Sequence, residues 1–163
     1  MHLGDRESLE MKLLKATVQV NAEQKKRVIE KLKEVVGPLE GKTIAVWGLS
    51  FKPNTDDMRE AVSVDVIRAL AALGARVRAY DPAAMGGARK ILPGIGFARD
   101  PYEAVRDADG LLILTEWNEF KEADLRRVKG LLRRPAVVDG RNILDLKLVR
   151  ELGMGYRGIG RSA

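Results

Sequence analysis

Cysteine is absent from this 163-residue sequence, and histidine occurs once, as His2 beside the first residue. Without thiols there is no disulfide, no thiolate nucleophile and no cysteine-ligated metal. A single terminal imidazole removes Ser-His-Asp catalysis and supplies no cluster of transition-metal ligands, so no metal site is expected. Aromatic residues are sparse too, 5% of the chain against 45% hydrophobic overall, so the interior must be packed chiefly from Leu, Val, Ile and Ala. No run of about 18 apolar residues occurs, and the first residues lack the apolar centre of a signal peptide. The expectation is a soluble cytoplasmic protein with no membrane partner. The length suits one domain of ordinary size with a short appendage and excludes a full-length barrel.

The net charge of +6 is unevenly placed. Residues 1–40 carry 8 basic and 7 acidic side chains, residues 41–120 carry 10 and 11, and residues 121–163 carry 11 and 5. The excess therefore sits in the last quarter, densest between Arg126 and Arg134. Such an excess can attract nucleic acid, a phosphate-bearing small molecule or an acidic surface. No aromatic interleaving, RNA-binding signature or helix-turn-helix pattern accompanies it, so no nucleic acid partner is expected and the cluster reads as a solvated helix face.

The first 36 residues have helical period. Leu9, Leu13, Ala16, Val20, Val28, Leu32 and Val35 recur at spacings of three, four or seven or eight with charge between them. The register slips in the middle, where Asn21-Ala-Glu-Gln24 resembles a helix start, and a bend is expected near Val20. Gly37-Pro38 ends the helix, glycine for a left-handed cap and proline because it cannot continue the ladder. From Lys42 the pattern changes to short apolar runs alternating with amphipathic stretches. Strands are expected at 43–47, 76–80, 110–115, 136–139 and 156–160, with a weaker one at 95–97. Helices are expected at 61–73, 83–91, 101–106, 121–132 and 145–152. Strands covered on both faces by intervening helices require a parallel sheet. The predicted fold is thus a doubly wound α/β domain of five or six strands preceded by a long amphipathic helix.

In such sheets ligands sit beyond the carboxyl ends of the strands, near the switch in strand order. Three loops there carry reactive residue types. The first, Gly48-Leu-Ser-Phe-Lys-Pro-Asn-Thr-Asp-Asp-Met-Arg-Glu60, is too long for a glycine-rich phosphate turn. It offers side-chain cations beside a helix N-terminus, a pairing that suits a diphosphate. The residues equally allow a solvated loop whose acids cap the helix. The second loop is Thr115-Glu-Trp-Asn-Glu-Phe120, where Trp117 can stack on a base or plug a gap between sheet and helix. In the third, Val138-Asp-Gly-Arg-Asn142, Asp139 and Gly140 make a turn and Arg141 projects over the same edge as Lys52. Gly153-Met-Gly-Tyr-Arg-Gly158 spells G-x-G-x-x-G but opens no helix, so its spacing is accidental. Asp81 ends the second predicted strand as a ribose-binding acid would, yet without a glycine-rich first turn it reads as a turn residue before Pro82.

The first loop, together with Thr115-Glu-Trp117, Val138-Asp-Gly-Arg-Asn142 and Val20-Asn21 with Gln24, resembles the carboxyl-terminal third of the UDP-glucose 6-dehydrogenase family. The wider family includes GDP-mannose and UDP-N-acetylmannosamine dehydrogenases. Tyr80-Asp-Pro82 and Tyr156-Arg-Gly-Ile-Gly160 fit as well, so the likeness spans nearly the whole chain. The resemblance implies a Rossmann-like domain that binds the UDP part of a nucleotide sugar. The parent enzyme would oxidise the sugar's primary alcohol to a carboxylate, UDP-glucose to UDP-glucuronate, in two NAD-dependent steps.

By that resemblance, residues 1–20 are the tail of a central helical dimerisation region and residues 21–163 the UDP-binding domain. Phe51 and Lys52 would contact the UDP part, Arg141 its ribose or diphosphate, and Arg59 would lean toward NAD held by another domain. The implied partners are a UDP-sugar, an amino-terminal NAD domain or its separate chain, and a second copy in the intact enzyme. The family's catalytic cysteine and lysine and its NAD fingerprint have no counterpart in this sequence, so no residue here is expected to be catalytic. The chain reads as a fragment or one half of a split enzyme. The alternatives are a stand-alone nucleotide-binding or regulatory module, or a relative acting on GDP-mannose or UDP-N-acetylmannosamine.

Overall fold

The computed structural model describes residues 12–161. Helix α1 (Lys12–Val36) leads into strand β1 (Thr43–Trp47), followed by α2 (Val62–Ala72), β2 (Arg76–Tyr80), α3 (Met85–Ile91) and β3 (Gly96–Phe97). The second half comprises α4 (Pro101–Val105), β4 (Gly110–Ile113), α5 (Asn118–Lys121), α6 (Leu125–Leu131), β5 (Ala136–Asp139), α7 (Leu146–Glu151) and β6 (Gly155–Gly158). The six strands form one sheet in the order β3-β2-β1-β4-β5-β6. Every pairing is parallel. This is the doubly wound order, and it reverses direction between β1 and β4.

Alternation along the strands sorts the core into two layers. Ile44 and Val46 of β1, with Leu112 of β4 and Val138 of β5, face a cluster that includes Val28, Leu32 and Val36 of α1 and Val66, Ile67 and Leu70 of α2. Ala45, Trp47, Leu111, Ile113 and Val137 face the other, closed by Phe120, Leu125, Val128 and Val149. Trp47, fully buried, stacks on Phe120 at 5.1 Å between ring centres and donates its indole N–H to the Pro101 carbonyl at 2.9 Å. The sparse aromatic complement is thus concentrated where one long side chain must span sheet and helix.

Several expected boundaries move. No break interrupts α1 at Val20: the helix runs on to Val36, and the Gln19 amide donates to Glu23 Oε1 at 3.1 Å across the expected bend. Asparagine costs only a few tenths of a kcal/mol in a helix interior, too little to stop a ladder whose later turns are buried. The helix does end at Gly37, whose φ is +85° and whose N–H donates to the Lys33 carbonyl. The helix expected over 121–132 is instead two, because the Asp124 carboxylate accepts from the Arg126 and Arg127 amides and starts α6 anew. Strand β4 stops at Ile113, short of Thr115, and β6 starts one residue early and ends at Gly158.

Part of the basic excess in the last quarter is internally engaged. Arg133 pairs with the buried Asp109, Arg127 lies 3.8 Å over the Tyr102 ring, and Lys129 donates to the Leu152 carbonyl.

Candidate functional site

Where β1 ends, the backbone turns through Gly48 at φ +93°, and a Cβ there would stand 2.5 Å from the Thr115 backbone nitrogen. Only glycine lets the β1 and β4 ends approach so closely. The next two residues, Leu49 and Ser50, are buried without strand partners, and side chains from three other elements satisfy them. Asp81 accepts the Leu49 N–H at 2.7 Å and the Ser50 N–H at 3.0 Å. Ser63, in α2, donates to the Leu49 carbonyl at 2.5 Å, and Thr115 donates to the Ser50 carbonyl at 2.7 Å. The Trp117 indole completes the set, donating to Ser50 Oγ at 3.1 Å and to Asp81 at 3.2 Å.

Asp81 is therefore more than a turn residue before Pro82. It does accept the Ala83 and Ala84 amides, as a turn acid would. Its other oxygen holds the β1 loop. Burial alone would push its carboxyl up, but the Leu49, Ser50, Ala84 and Ala83 amides outweigh burial and hold it below the usual carboxylate range. In a dinucleotide fold an acid at the end of β2 binds the cofactor ribose. Here its lone pairs are already engaged by the protein's own donors, so the residues of this switch point do not fit NAD.

Beyond Ser50 the loop comes to the surface. Phe51 is 49% exposed, its N–H held by the Asp57 carbonyl at 2.8 Å. Lys52 is exposed, and its ammonium has no hydrogen-bond or ion-pair partner among the described residues. The loop's acids do not cap α2, contrary to one reading of the sequence: Ala61 is the cap residue and no side chain bonds the first turn. Asp57 instead binds Arg59 at 2.8 Å, and that bond holds the carboxyl down to about 2. The Arg59 side chain stays 90% exposed.

At the end of β5, Asp139 organises the third loop. Its carboxylate, fully buried, accepts from the Arg141 and Leu144 amides and from the Tyr156 hydroxyl. Burial and the Asp139 charge push the Tyr156 phenol up to about 12. Asn142 adopts φ +57°, and its amide exchanges hydrogen bonds with the Ile159 backbone after β6. Arg141 thus leaves a rigid turn. Its Nε donates to the Leu114 carbonyl at 2.7 Å and pairs with Glu116 Oε2 at 3.1 Å, while neither Nη group makes a hydrogen bond among the described residues. Lys52 and Arg141 share the carboxyl edge of the sheet, but their strands are not neighbours: β4 lies between, followed by the loop that carries Thr115, Glu116 and Trp117.

The edge thus presents the Lys52 ammonium, the Arg141 guanidinium paired with Glu116 and the exposed Phe51, with no glycine-rich turn after β1. Residues 45–146, which contain all three loops, match the UDP binding domain of the UDP-glucose/GDP-mannose dehydrogenase family. The chain belongs to that family. The UDP-glucose 6-dehydrogenase TuaD of Bacillus subtilis is 44% identical over 153 residues, covering 93% of this chain and 33% of that protein. The UDP-glucose 6-dehydrogenase of Rhizobium meliloti is 46% identical, covering 93% of this chain and 35% of its own length. Among solved structures, a UDP-glucose dehydrogenase from Pyrobaculum islandicum superposes with a TM-score of 0.78 at 37% identity, covering 87% of this chain and 32% of that one. The chain therefore spans about a third of the UDP-glucose dehydrogenases it resembles.

Phe51, Lys52, Arg59 and Arg141 lie within the matched span of residues 45–146. Sequence reasoning missed the supporting residues. Ser63 carried no signal at all, and Thr115 stood in a noted motif only as the neighbour of Trp117. Asp81 was visible as a strand-end acid, but its partner, the backbone of a distant loop, leaves no trace in residue types.

Proposed function

We propose that this chain is the carboxyl-terminal domain that binds the UDP-sugar in an NAD-dependent UDP-glucose 6-dehydrogenase, and that it is not catalytic alone. The observation that carries this reading is the pair of cationic groups, the free Lys52 ammonium and the Arg141 guanidinium held by Glu116 and the Leu114 carbonyl, in the loops that follow β1 and β5 on either side of β4. Phe51 and Lys52 contact the UDP part, and Arg141 its ribose or diphosphate. Arg59 leans toward NAD held by another domain, a role its exposed side chain permits. Residues 1–20 belong to the tail of a central helical region and residues 21–163 to the UDP-binding domain. Its partners are the amino-terminal NAD domain and, in the intact enzyme, a second copy.

Calorimetry with UDP tests this. Weak binding is expected, falling as salt is added because exposed cations are screened. Lys52→Ala and Arg141→Ala should each weaken it about tenfold, the worth of one charge-assisted hydrogen bond. No heat at millimolar UDP from a folded sample would overturn the reading.

A further inference from the structure

All four backbone polar groups of Leu49 and Ser50 are bonded by side chains or by the carboxylate of Asp81, and none by the sheet. Such density is unusual for a loop, since most buried backbone groups find backbone partners. The donors and acceptors come from α2, from the end of β2 and from the end of β4, so the socket closes only when three elements are docked together. Thr115 and Asp81 are 0% and 1% exposed, and Ser63 2%. No charged side chain takes part besides Asp81 itself. What leaves the socket is Phe51-Lys52, the stretch with an exposed aromatic and an unpaired ammonium.

Resting on the UDP-binding reading above, we propose that Thr115, Ser63, Asp81 and Trp117 are positioning residues. They fix the Leu49-Ser50 backbone so that Lys52 meets the ligand's phosphate from a pre-set direction, and they touch no ligand themselves. Preorganisation of this kind lowers the ordering cost of binding. Their effect on affinity must therefore run through Lys52.

A double-mutant cycle on the full chain tests it, with UDP affinity by calorimetry and stability by denaturant read in parallel. Thr115→Val removes the donor to Ser50 and should weaken UDP about fivefold, the worth of one hydrogen bond, while Thr115→Ser restores the affinity. In the Lys52→Ala background, Thr115→Val should cost no further UDP affinity, yet its stability loss should be the same in both backgrounds. Equal loss of affinity in both backgrounds would overturn the proposal, as would unchanged affinity in a folded Thr115→Val protein. If Thr115→Val does not fold, Ser63→Ala, which frees the Leu49 carbonyl, is read in the same cycle. Amide exchange without ligand separates this proposal from the UDP reading. Thr115→Val should speed exchange at Phe51 while leaving Ile44 to Val46 of β1 protected, and uniform exchange would overturn the socket even where UDP binds. A wild-type chain that takes no UDP sinks the binding reading, and the exchange contrast then decides the socket by itself.

Discussion

Asp81 is a buried carboxylate surrounded by neutral donors, with backbone amides on both of its oxygens. Its native pKa is lowered, so it contributes stability that is complete above the unfolded carboxylate value, about 3.9. That contribution is lost as pH falls through the native value. Asp57 and Asp109 are also lowered, and the informative quantity is the difference between wild type and Asp81→Asn. The variant should be less stable by about 3 kcal/mol near neutrality, because buried donors lose their acceptor. The gap should narrow as pH falls below about 4. Urea midpoints measured across that range check this, and parallel acid limbs would show that the carboxylate's charge is not what the donors need.

At the scale of elements, the boundary within α1 is the sharpest question. Val28, Leu32 and Val36 are buried in the core, while Leu14 and Val20 are 51% and 52% exposed. A chain starting at Asn21 keeps every core position of the helix found among the described residues, and it should fold as a monomer with unchanged UDP affinity. Ultracentrifugation with calorimetry decides it; unfolding of that variant would place residues 1–20 in the core. The helix and strand types were legible because period 3.6 and short apolar runs reflect burial on a helix face and between helix layers. Breaks were less so. Asn21 and Asp124 are both good cap residues, but only Asp124 starts a helix, whereas Asn21 lies inside the continuous α1. The candidate site was legible in its cations, whose type announces their chemistry. Its scaffold was not, since Ser63 and Thr115 bond backbone atoms that any residue carries.

For the whole molecule, division of labour follows from what the edge holds. The sequence carries no thiol, and the ribose position at β2 is taken up by the protein's own backbone. The purified chain mixed with NAD and UDP-glucose should therefore give no NADH absorbance. Sustained NADH production abolished by Lys52→Ala would require a different chemistry altogether. The arrangement of α1 also bears on synthesis. This helix rests on β4, β5 and β6, and Glu34 binds Arg157 across 123 positions of sequence. On the ribosome the last strand its apolar face covers is made more than a hundred residues after the helix itself. At about 5 to 20 residues per second, the face waits roughly 6 to 25 seconds for its partners. During that interval α1 is the segment a trigger-type chaperone should hold, and release should coincide with emergence of Gly155 to Gly158.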